Sequence, residues 1–119
     1  MKRLIAALGF TFLVSPAFAM TTLSTSYVFI PATDSGTCFL ANVTSKQLIV
    51  TVSTIAIDGT TIGSAQTMAQ PQHGRETSFT GPLFVRCTFA FSGSSRSLRA
   101  GLIVVDGGTS APLVSLPAS

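Results

Sequence analysis

Charge is what this sequence has least of: of 119 residues, seven are Lys or Arg, four are Asp or Glu and one is His. Tryptophan is absent, and there are only two cysteines and one tyrosine. Each shortage removes a class of chemistry. The single histidine, His73, lies in the Gln/Pro/Gly-rich stretch Met68–Gly74, and no Gly-x-Ser-x-Gly elbow occurs. Nucleophilic hydrolysis needs a base beside its nucleophile and a third group to orient that base, so no triad is expected. Glycosidase chemistry needs two acids flanking a cleft. Asp34, Asp58 and Asp106 read instead as turn or strand-end residues, where aspartate bonds to the backbone. Met68 and His73 are too few ligands for copper, and neither cysteine belongs to a Cys-x-x-Cys pair, so no metal and no cofactor is expected. No glycine-rich phosphate loop precedes a helix. The chain is read as a non-enzyme.

The net charge of +3 is concentrated at the start of the chain. Met1-Lys2-Arg3, an apolar run from Leu4 to Val14, Pro16 and the small-x-small end Ala17-Phe18-Ala19 have the form of a cleavable signal peptide over residues 1–19. The run Leu4–Ala19 is short for a bilayer span of about 20 residues, and no basic stop-transfer cluster follows. No membrane association is expected after cleavage, and the mature chain is expected to be secreted or periplasmic. From residue 20 onward five basic residues stand against four acidic ones, a net +1, which gives no electrostatic case for nucleic acid.

The remaining hundred or so residues are enough for one domain. Abundant Val, Ile, Phe, Ser, Thr and Gly, with no amphipathic helical stretch, argue for an all-β fold. Residues 20–26 read as a polar leader and residues 27–119 as the domain. The clearest signal is Leu83–Asp106. Leu83, Val85, Cys87, Phe89 and Phe91 alternate with mostly polar or small residues, and after Ser92-Gly93-Ser94-Ser95 a second run places Leu98, Ala100, Leu102 and Val104 on one face. A hairpin pairing Phe91 with Leu98 and Cys87 with Leu102 keeps both apolar sets on one side. Earlier runs are Tyr27–Ile30, ended by Pro31, then Cys38–Val43 and Gln47–Ile57. In the last of these the apolar phase shifts from Val50 and Val52 to Ile55 and Ile57, implying a bulge near Ser53-Thr54 or burial on both faces. Asp58-Gly59 is a hairpin signal leading into Thr60–Thr67. Arg75–Thr80 and Leu113–Leu116 complete the set. Asn42-Val43-Thr44 fits a glycosylation acceptor.

Cys38 and Cys87 form an even pair in a chain built for export, which predicts a disulfide. An early and a late strand joined in this way resemble the immunoglobulin-like sandwich, with Cys38 in the B position and Cys87 in the F position. The layout is also similar to small exported bacterial β-sandwich proteins, through the Cys38-to-Asn42 stretch, Arg86-Cys87 and the Leu116-Pro117-Ala118 tail. The resemblance implies a single immunoglobulin-like antiparallel β-sandwich of about seven strands with one inter-sheet disulfide.

Function is then expected at a surface. In the hairpin register Phe84, Arg86, Arg99, Ile103 and Val105 share the outer side of one sheet, a mixed basic and apolar patch suited to a protein or a cell-surface polymer. The expectation is a secreted or periplasmic structural or binding module. The alternatives are an assembly subunit that works by strand addition, with the leader as donor, and a protease-inhibitor-like protein presenting Gln66–Glu76 as a loop.

Overall fold

Leu83–Ser92 is strand β7 of the chain, and its burial alternates along its length, with Val85, Cys87, Phe89 and Phe91 fully inside. The computed structural model to which it belongs describes residues 20–119, so the expected signal peptide lies outside the described residues. The other strands are β1 (Met20–Ser24), β2 (Val28–Ile30), β3 (Ser35–Asn42), β4 (Leu48–Ala56), β5 (Thr61–Ala69), β6 (Gly74–Thr80), β8 (Leu98–Val105) and β9 (Pro112–Pro117). The architecture is all-β: two antiparallel sheets, ordered β1-β7-β4-β5 with β2 also on β7, and β6-β3-β8-β9, packed as a sandwich. Nine strands form where about seven were expected. The polar leader is not loose, because β1 pairs with β7 from Met20↔Ser92 to Ser24↔Thr88.

The expected β7–β8 hairpin does not form. β7 pairs with β1, β2 and β4, whereas β8 pairs with β3 and β9 in the opposite sheet. Residues 93–97 carry the chain from one layer to the other, with Gly93 at φ 139°. Only glycine takes that conformation without strain. Phe89 and Phe91 still share a core with Leu98, Ala100 and Leu102, but across the sandwich and not side by side. Periodicity identifies the buried face of a strand; it does not say whether the next strand sits beside it or opposite it.

The Cys38–Cys87 disulfide joins β3 of one sheet to β7 of the other, with the Cα atoms 5.9 Å apart. Both cysteines lie inside the main core with Leu40, Val50, Val52 and Phe89. Thr54 is also buried, its Oγ1 3.8 Å from the Cys38 Sγ. β4 therefore keeps one inward face, Val50, Val52 and Thr54, against an unbroken β7 register. The expected bulge in β4 lies on its partner, where pairing steps from Thr54↔Gly63 to Ile55↔Thr61 and leaves Ile62 as the extra residue. The apparent phase shift arises because a polar threonine occupies a core position while Ile55 and Ile57 face outward. Asp58-Gly59 makes the expected β4–β5 turn, with Gly59 at φ 91° and the Thr60 amide donating to Asp58 Oδ1 at 2.9 Å. The backbone and hydroxyl hydrogen bonds from Thr60 hold the Asp58 carboxyl below its usual value. At the end of β8, the Thr109 hydroxyl and then the Gly108 amide do the same for Asp106.

Asn42 is almost wholly buried, and its side-chain nitrogen donates to Lys46 O and Ala69 O at 2.7 and 2.9 Å. It is therefore a structural residue, closed to the glycosylation its sequence pattern fits. The stretch Gln66–Glu76 is likewise not an inhibitor-type loop. Gln66–Ala69 ends β5 and Gly74–Glu76 opens β6, leaving residues 70–73 as a connection tied to Asn42 through its backbone.

Candidate functional site

Because β7 and β8 lie in different sheets, the five residues expected to form one patch are divided. Phe84 and Arg86 lie on the outer face of the β1-β7-β4-β5 sheet, while Arg99, Ile103 and Val105 lie on β8 of the other. Each part meets neighbours that the hairpin register did not supply.

On the first sheet the cluster is built by β2. Its Val28 and Ile30 pair with Val85 and Leu83, and Phe29 sits directly across from Phe84. The period of two then sends Ile30 inward, fully buried, and leaves Phe29 outside, 55% exposed. The Phe29 and Phe84 rings meet edge to face with centroids 6.3 Å apart, and Tyr27 meets Phe84 at 6.4 Å. Such contacts contribute about 0.5–1.5 kcal/mol each beyond the area they cover. The Arg86 guanidinium lies 5.0 Å from the Tyr27 ring centroid, a cation–π contact that orients it along the face. Its Nε is buried without a hydrogen-bond partner. Ile55 lies across from Arg86, and Ile57 donates its amide to Phe84 O, so β4 extends the same face. Phe84 is 45% and Ile57 55% exposed.

This gives an apolar and aromatic shelf with one oriented cation. It holds no carboxylate and no nucleophile–base pair, so what it can do is bind. Tyr27 and Phe29 were legible as members: Tyr27–Ile30 alternates like any strand with one buried face. What the sequence did not supply was its partner, β7.

On the second sheet Arg99 lies beside Arg96 on an open groove of about 700 Å³ floored by Phe39 and bounded by Ser115 and Pro117 of β9. Phe39 lies over Gly101, where an added Cβ would stand 2.7 Å from its Cζ. Ile103 and Val105 continue along β8, away from that groove. His73 sits on the β5–β6 connection with Nδ1 2.8 Å from Pro71 O.

No family model matches the chain, and no curated protein matches it. Among solved structures, the crystal structure of Thermotoga maritima 1070 matches with a TM-score of 0.61 at 9% sequence identity, over 82% of this chain and 91% of that chain. At that identity the likeness is one of fold.

Proposed function

We propose that the chain is an exported binding module that works through the outer face of β2 and β7, and not through a reacting group. The observation that carries this is the Tyr27–Phe29–Phe84–Arg86 cluster, whose two phenylalanines are about half exposed while their strand neighbours are fully buried. Large aromatic residues and arginine are the side chains enriched where proteins meet partners, and a monomer gains nothing by leaving them in water. A protein or a cell-surface polymer with apolar bodies and an acceptor for Arg86 is the partner this face suits.

Export is supported by the basic, apolar and small-residue order of residues 1–19 and by the buried disulfide, which belongs to an oxidising compartment. The intact mass of the exported chain is expected to begin at Met20; a membrane-extracted product retaining Lys2 and Arg3 would sink the reading. The likeness to the immunoglobulin-like layout rests on the bond between an early and a late strand, and it stops at β8, which leaves β7's sheet. Strand addition with the leader as donor is disfavoured, because β1 is already paired with β7.

The test is capture from native envelope or culture fluid by the wild-type chain and by surface variants. Phe84→Ser with Arg86→Ala is expected to reduce capture at least about tenfold, a loss of about 1.4 kcal/mol or more. Stability should fall little, since the changes lie on an exposed face. Arg99→Ala, on the opposite sheet, is expected to leave capture unchanged. Equal capture by all variants would refute the assignment, and loss with Arg99→Ala alone would move it to the Arg96–Arg99 groove.

A further inference from the structure

We propose that β5 is an assembly edge, and that its occupant is the β5 of a second copy of this chain, antiparallel across a two-fold axis at Ala65.

The sandwich has four strand edges, and three of them are guarded. β9 begins and ends with proline, Pro112 and Pro117, which removes donors from an edge. β1 is laced to the other sheet: Ser24 and Ser119 exchange backbone hydrogen bonds at 3.2 and 3.1 Å. β6 carries the consecutive charges Arg75 and Glu76. β5 has none of these defences. It runs for nine residues, Thr-Ile-Gly-Ser-Ala-Gln-Thr-Met-Ala, without a charge or a proline, and six of them from Thr61 to Gln66 are exposed. Long, uncharged, open edges are those that pair with another strand.

The occupant follows from charge and pattern. A closed two-fold pairing sets a strand against itself, so the strand must be self-complementary. Any charge near the axis then meets its own kind; β5 has none to meet. With Ala65 opposite Ala65 of the second copy, Ser64 faces the second copy's Gln66 on the outer side, hydroxyl to amide. Gly63 faces Thr67 on the inner side, and both are small enough for close approach. This register centres the whole of Thr61–Ala69 on itself.

The groove between β5 and β6 supports the same occupant. Arg75 Nε donates to Met68 O at 3.3 Å and closes one end. The other end is open, with Ile62 (turned there by the bulge), Val52 and Phe79 lining a cavity of about 170 Å³. The two-fold sets the closed Met68–Arg75 end of one copy beside the open Ile62–Phe79 end of the other. Arg75 stands three residues from the axis by its contact with Met68. Like charges of the two copies are therefore about six strand rises, roughly 20 Å, apart.

Sedimentation velocity tests this on the exported chain. The wild type is expected to shift from monomer to dimer between about 1 and about 100 μM, the weak range of small interfaces. Ser64→Lys with Gln66→Lys places Lys opposite Lys twice and is expected to weaken the dimer at least about tenfold. Ser64→Lys with Gln66→Glu places Lys opposite Glu twice and is expected to retain it. A wild type that stays monomeric, a Lys/Lys variant that still dimerises, or a folded Lys/Glu variant that does not would each overturn the proposal. Amide hydrogen exchange of the wild type guards against misfolded variants: protection of residues 63–67 must rise with protein concentration, and unchanged protection overturns it.

Discussion

Cys38→Ala with Cys87→Ala is expected to lower the unfolding free energy by roughly 2–5 kcal/mol, the range for small secreted domains that lose a native bond. The sequence separation is 49, and a loop of about that length gives about 4 kcal/mol on the chain-entropy model. For a domain whose whole stability is on the order of 5–10 kcal/mol, that is a large fraction. The position of the bond raises its importance. β3 and β7 each sit inside their own sheet with a neighbour on both sides, so the link ties the centres of the two layers. Alanine is the better probe than serine because both sites are dry. A serine at Cys38 could reach the Thr54 hydroxyl, 3.8 Å from the present sulfur, whereas a serine at Cys87 would bury a hydroxyl among Phe89, Leu102 and Val85 neighbours. Urea unfolding of the oxidised, reduced and double-alanine forms checks this. A midpoint within the scatter of the oxidised wild type in either altered form would refute it.

The two cysteines illustrate what the residues alone could say. Residue type and export context were enough to pair them, because only two candidates existed. The buried face of β7 was equally legible, since five alternating apolar residues leave no other strand reading, and Asp58-Gly59 marked the β4–β5 turn through its need for a positive φ. The neighbours of each strand were not legible. Phe91 and Leu98 agree in phase whether their strands lie side by side or in opposite layers, and residues 93–97 are long enough to cross the roughly 10 Å between sheets. The patch followed that ambiguity: Phe84 and Arg86 stayed together because they lie on one strand, and Arg99, Ile103 and Val105 left with β8. Polar residues in structural roles misled in the other direction. Met20–Ser24 looked like a leader because only Leu23 of its five residues turns into the core, and an edge strand needs no more. Thr54 broke the apolar pattern of β4 although it is buried, and Asn42 looked like a surface acceptor although it is a plug.

Asn42 carries the second large expected effect. Its Nδ2 donates to Lys46 O and Ala69 O, and its Oδ1 accepts from the Thr44 amide at 2.9 Å and the Thr44 hydroxyl at 2.7 Å. Its backbone accepts from the Gln72 amide and donates to His73 O. One residue therefore fastens the β3–β4 turn, the end of β5 and the β5–β6 connection. Asn42→Ala leaves buried Ala69 O and the Thr44 amide without their partner and is expected to cost roughly 2–4 kcal/mol, from about 1–3 kcal/mol for each buried group left unpaired. Asn42→Asp keeps the shape but turns the donor toward two carbonyl oxygens into an acceptor. Burial and those carbonyls disfavour the ionised form, so the introduced carboxyl titrates higher in the folded chain than in the unfolded one. For a group raised on folding, stability is greatest below the unfolded value, about 3.9 for aspartate, and is lost as pH rises toward the folded one. Asn42→Asp is therefore expected to be more stable at pH 4 than at pH 7 relative to wild type, whereas the Asn42→Ala deficit stays the same at both. Denaturant melts of the three chains at the two pH values decide it. An Asn42→Asp chain with a pH-independent deficit would mean that the side chain faces water and not the Lys46 and Ala69 carbonyls, and the three segments would then have to be held together by their backbone bonds alone.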